Sequence, residues 1–228
     1  MVNPFQEFQE HSIARREIPL DRIISVKDQI LERLIAGYQK LVEEEVRGLV
    51  WVVERGTLSR AYVVAQQAIA GIDFTLEDIE DLCYELDKSK RIPFAIGGPT
   101  GLYISALFNQ IDAPEITLRL NDLKGKLYLL GYRLPEGKRL ILEGDAGDFI
   151  GVGLEGGEVI VKGSTGDWTG VGMKRGKLVV EKNVGSHTGE WMSGGEIHVM
   201  GRIGGLGRIS GGRIFEGERL VSPMGGGI

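Results

Sequence analysis

The chain has 228 residues, one cysteine and a formal net charge of −5 at pH 7. That length holds one domain or two modest ones. The single cysteine excludes an internal disulfide and any Cys cluster for zinc or iron–sulfur, and the acidic balance argues against a nucleic-acid partner. No apolar run approaches the roughly 18 residues of a membrane span, and the opening MVNPFQEFQEHS lacks the basic-then-apolar order of a signal peptide. A soluble cytoplasmic protein is the expectation.

The first half reads as helical. Ser25 with Asp28, and Thr75 with Asp78, are acidic versions of the capping-box pattern, placing helix starts near 26 and 76. Behind the first, Ile30, Leu34, Tyr38, Leu41 and Val42 recur at helical spacing; behind the second, Leu76, Ile79, Leu82, Cys83 and Leu86 do the same. A third helix is predicted from about Leu58 to Ala70, stopped by Gly71, and a fourth from near Thr100 to before Asp112. The run Leu49 to Glu54 fits either a continuation of the first helix or a short strand. Such stripes need something to pack on, so a small bundle or a cap on the second half is expected.

The second half changes character near Pro114. Of 35 glycines, 28 lie in residues 113–228, and they fall on a period. Leu140, Val159, Leu178 and Ile197 are each 19 apart, as are Leu142, Val161, Val180 and Val199, and Gly147, Gly166, Gly185 and Gly204. The last unit is two shorter, since Ile197 to Ile214 is 17. A fixed period with glycines at set offsets marks a solenoid in which each unit is one coil. The fold class expected is therefore α+β: a helical domain over 1–112, then over 113–228 a parallel β-helix, a single-stranded solenoid with coils of about 19 residues.

Strand alternation assigns the faces. Val159 and Val161 point inward, with Leu154, Met173, Met192 and Ile209 as a second inward column. One outward column reads Glu158, Lys177, Glu196, Arg213, alternating in sign, and is most simply a solvated face. The other reads Ile141, Ile160, Val179, His198, Phe215. An apolar outward column must be covered, so these five form a candidate partner surface, to be buried by the N-terminal helices or by another chain.

The motifs GDAGDFIGVGLEGGEVIVKG (144–163) and VGSHTGEWMSGGEIHV (184–199) resemble the repeat domain of the C subunit of formylmethanofuran dehydrogenase, and the C-terminal GXGXG domain of the glutamate synthase large chain. The motif stands here as Gly151-Val-Gly153 and Gly170-Val-Gly172; the third repeat departs, with Gly189 followed by Trp191 where the second glycine falls. The resemblance covers roughly residues 116–217. It implies a right-handed β-helix that carries no cofactor and buttresses or bridges the subunits that do chemistry. Residues 1–112 match no family.

Candidate chemistry is sparse. Gly151 to Gly156 fits a loose GxGxxG, but it joins no strand to a helix and recurs with the solenoid period, so corner glycines are the better reading. Gly97 to Gly101 lacks the lysine of a phosphate loop and reads as a turn before a helix. Cys83, on an apolar stripe, reads as a core thiol, and Glu43, Glu44 and Glu45 as a solvated helix end. With only His11, His187 and His198, no metal site is assigned, nor any catalytic or cofactor-binding residue. A polar–aromatic patch is the remaining candidate: Asp148, Asp167, Trp168, His187, Glu190 and Trp191, in which Phe149, Trp168 and His187 share the 19-residue period. It fits either an aromatic stack packing a corner or a surface that docks a partner or small ligand.

The functional expectation is a non-catalytic scaffold or adaptor of a multi-subunit redox enzyme, with no cofactor and no activity alone, similar in role to the repeat domain of formylmethanofuran dehydrogenase. The alternatives are a stand-alone glutamate-synthase-type GXGXG subunit partnering FMN and glutaminase chains, or, in another class, a β-helical enzyme with its own active site. Expected partners are protein subunits of a larger complex or further copies of the chain, with no nucleic acid and no membrane.

Overall fold

The computed structural model describes residues 20–45, 55–89 and 98–222. Four helices come first: α1 (Leu20–Glu45), α2 (Arg55–Ile69), α3 (Leu76–Lys88) and α4 (Gly98–Gln110). Seven strands follow: β1 (Glu115–Arg119), β2 (Arg139–Glu143), β3 (Glu155–Val161), β4 (Arg175–Val180), β5 (Ser193–Val199), β6 (Gly211–Glu216) and β7 (Arg219–Leu220). No described helix is long and apolar enough to cross a membrane.

The Thr75 signal is met in full. The Asp78 amide donates to Thr75 Oγ1 at 3.3 Å and the Thr75 amide to Asp78 Oδ2 at 2.7 Å, satisfying donors that the first turn leaves open. The Ser25 signal is not a start: α1 begins at Leu20. Leu20, Ile23 and Ile24 carry the three-and-four spacing upstream, and one serine inside that pattern does not end it. α4 opens two residues before the expected Thr100, with Pro99 in its first turn, where a missing N–H costs nothing. The run 49–54, Gly97 and His11 lie outside the described residues.

The apolar stripes of the helices bury against one another. Leu34, Tyr38, Ile79, Leu82 and Leu102 are fully buried. The Tyr38 and Tyr103 rings meet edge to face at 5.7 Å. Their hydroxyls are placed by Thr100 Oγ1 at 2.9 Å and by the Leu34 carbonyl, which accepts from Tyr103 at 2.9 Å.

The helices cap one end of the solenoid. α4 lies on the loop of the first coil: Ser105 Oγ donates to the Leu129 carbonyl at 3.0 Å, and Asn109 Nδ2 to the Tyr132 carbonyl at 3.0 Å. Gly101 approaches the Tyr128 carbonyl so closely that no Cβ fits there. Lys138 Nζ donates to the carbonyls of Phe108, at 2.8 Å, and Ile111, supplying a cation to the C-terminal end of α4. One hydrophobic core runs from the helices into the coils.

β1 to β6 pair in parallel and in sequence order, and β7 turns back antiparallel on β6. The registers reproduce the period residue for residue: Leu140 pairs with Val159, Val159 with Leu178, Leu178 with Ile197, and Ile197 with Ile214. All five are fully buried. The first coil is longer, Glu115 pairing with Arg139, because it includes a 3-10 turn at Leu120–Asp122 and the loop on which α4 sits.

Candidate functional site

Four successive coils turn a corner with three left-handed residues at alternating positions. They are Leu129, Gly131 and Arg133; Phe149, Gly151 and Gly153; Trp168, Gly170 and Gly172; and His187, Gly189 and Trp191, all with φ between 52° and 77°. The middle position is glycine every time, for a reason beyond φ. A Cβ on Gly189 would sit 2.6 Å from Ile214 Cδ1, and one on Gly131 3.0 Å from Val159 Cγ2, both in the solenoid core. The third position faces open space: a Cβ on Gly172 meets nothing within 4 Å. Trp191, the departure from the motif, occupies this third position and is 66% exposed. A side chain there strains the backbone without entering the core.

The first position carries the aromatic column. A left-handed non-glycine residue costs about 1–2 kcal/mol, and stacking recovers part of that, about 0.5–1.5 kcal/mol per pair. Phe149 stacks on Trp168 at 6.0 Å and Trp168 on His187 at 4.3 Å, the rings nearly parallel in both cases, while Trp191 leans on Trp168 at 6.0 Å. Phe149 and Trp168 are partly buried against the core; His187 is exposed.

The carboxylates expected in the patch are used by the fold. Asp148 Oδ1 accepts from the Asp167 amide of the next coil at 2.9 Å, and Asp167 Oδ1 from the Ser186 amide at 2.7 Å. That backbone hydrogen bond holds the Asp167 carboxyl below its usual range. Glu190 is buried, and its Oε2 accepts from the Arg208 amide at 3.0 Å. The structure thus brings all six residues of the patch to one corner. It leaves Trp191 and His187 as the accessible surface and commits Asp148, Asp167 and Glu190 to joining coils. No cluster of three or more His, Cys, Asp or Glu among the described residues is placed to hold a metal ion.

The outward column lies along the middle of the sheet. Ile141, Ile160, Val179, His198 and Phe215 are in register and partly exposed. His198 stacks on Phe215 at 4.6 Å, and its Nε2 meets Glu196 Oε2 at 2.9 Å. Among the described residues, the helices do not provide the cover expected of them. The Ile30/Leu34/Tyr38 and Ile79/Cys83/Leu86 stripes are spent on the helical core, α4 docks on the first coil's loop, and the column stands outside the packed core. A third outward column goes beyond the sequence expectations: Arg119, Glu143, Lys162 and Glu181, again alternating in sign. Lys162 Nζ meets Glu143 Oε1 at 2.8 Å. Subtracting 19 from Glu181 and Lys162 is the signal that exposes this ladder in the sequence.

The fold and these surfaces define a parallel β-solenoid with a helical cap, about four turns of some 19 residues each. Over 77 residues the chain is 32% identical to the glutamate synthase [NADPH] large chain of Bacillus subtilis (strain 168), a match covering 34% of this chain and 5% of that one. The chain therefore spans only a small part of that relative. No family model matches it, and no solved structure matches it.

Proposed function

We propose that this chain is a non-catalytic scaffold or adaptor subunit of an oxidoreductase assembly, with a GXGXG-type solenoid that holds other chains in place. The observation that carries the reading is the corner. Its glycines, aromatics and carboxylates are committed to coil-to-coil packing and hydrogen bonding, so what the solenoid offers is surface. The likeness to part of a glutamate synthase large chain favours partners of the glutamate synthase type, FMN and glutaminase chains, over those of formylmethanofuran dehydrogenase.

Deleting the gene tests the proposal. Loss of the chain is expected to lower the abundance and the NAD(P)H-dependent activity of the partner oxidoreductase together, and a surface variant such as Trp191→Ala to leave the chain folded while weakening that effect. An unchanged partner activity and abundance would overturn it.

A further inference from the structure

We propose that the outward sheet face is a self-complementary interface that pairs two copies of this chain about a two-fold axis parallel to the solenoid. The strands β1 to β4 each present three outward positions, with Thr117, Ile141, Ile160 and Val179 at the centre and a charge two residues to either side. Those charges are opposite in every coil that carries both: Glu115 and Arg119, Arg139 and Glu143, Glu158 and Lys162, Lys177 and Glu181. A half-turn about an axis along the stack sets each coil against its own counterpart with the strand reversed. The leading charge of each strand then faces the trailing charge of its copy, and all four pairs are attractive.

The charges around β4 identify the axis. Arg139 bridges Glu115 and Glu158, Arg213 and His198 take Glu196, and Lys162 takes Glu143. Lys177 and Glu181, on either side of Val179, make no ion pair among the described residues. The two-fold places Val179 on its counterpart, Lys177 on Glu181 of the partner subunit, and Glu181 on the partner subunit's Lys177. An axis along the strands and centred on β4, the middle of seven, would set Lys177 on itself, so like charge excludes it.

The area is sufficient, though modest. Leu220 extends the apolar centre past Phe215, its register partner, and is 39% exposed. Seven strands about 4.8 Å apart and about five residues long at roughly 3.3 Å each give a face near 34 by 16 Å, so two copies bury about 1,100 Å². That clears the ~1,000 Å² expected of a specific contact, at its weak end.

Sedimentation velocity of the full chain, over about 1 to 500 µM, is expected to show a monomer–dimer equilibrium. Val179→Glu should abolish the dimer. Lys177→Glu and Glu181→Lys, both at exposed edges where folding is not at risk, should each weaken it roughly tenfold or more, since each sets like charges against each other twice. Mixed one to one, these two variants should form a dimer together, because one carries both negative charges and the other both positive. Circular dichroism confirms that each variant is folded. A chain that stays monomeric throughout, a dimer indifferent to Val179→Glu, or single variants that fail to recover on mixing would overturn the proposal.

Discussion

Gly189→Ala and Gly172→Ala separate the two reasons a glycine stands at the solenoid corner. Both residues are left-handed, with φ of +71° and +65°. At Gly172 an added methyl meets nothing within 4 Å, so the cost is the conformation alone, about 1–2 kcal/mol. At Gly189 the methyl would lie 2.6 Å from Ile214 Cδ1 and 3.5 Å from Ile209 Cγ2. Ile214 is fully buried, so overpacking adds a further 1–3 kcal/mol or so, for a total of about 2–5 kcal/mol. Removing the clashing methyl tests the attribution. Ile214→Val alone costs about 0.5–1.5 kcal/mol, yet in the Gly189→Ala background it should return at least about 1 kcal/mol, a coupling that independent sites do not show. Urea midpoints for the four chains measure this. Equal losses at Gly189 and Gly172, or simple additivity with Ile214→Val, would refute the inward placement of the middle glycine.

Val180→Asp puts an unpaired charge at a fully buried position and is expected to cost about 4 kcal/mol or more; Ile160→Asp, on the partly exposed outward face, should cost far less, and thermal melts compare them. The Asp167 carboxyl sits below its ordinary 3.8 because it accepts the Ser186 amide. A depressed folded value contributes stability above the unfolded value and loses it as pH falls through the folded one, so melting temperature should drop in a window opening just under pH 3.8. Asp167→Asn should flatten that window, and an identical profile for both chains would contradict the assignment. Burial pushes the Cys83 thiol up to about 12, so at pH 8 iodoacetamide should label it only after unfolding; rapid native labelling would show that the helical core is open.

The solenoid is legible because its signal is repetition. A side chain inward in one coil is inward in the next, so subtraction places Val159 and Val161, and the observed registers agree. The first coil is harder to read: its loop is longer, and the Leu129 to Arg133 corner that meets α4 is offset from the next corner by 20 residues instead of 19. The start of α1 escapes because Ser25 satisfies a local pattern that the continuing apolar spacing overrides. At the patch, residue types alone suggest a binding site. Only geometry shows that Asp148, Asp167 and Glu190 accept backbone amides from neighbouring coils, since sequence does not reveal which way a short carboxylate turns. The cover of the outward column is hidden for a similar reason: stripe width says that a helix must pack on something, not on what. Trp191 marks the other limit. As a departure from a motif it reads as functional, and its structural licence is an open corner position that no spacing rule describes.

The scaffold role rests on what the chain is bound to in the cell, and the mass of its native assembly addresses that directly. Purified at endogenous level and measured by native mass spectrometry, the chain is expected in a stoichiometric assembly with at least one oxidoreductase chain, and to be without turnover when released from it. A chain recovered free of other proteins, with catalytic turnover of its own, would contradict the account.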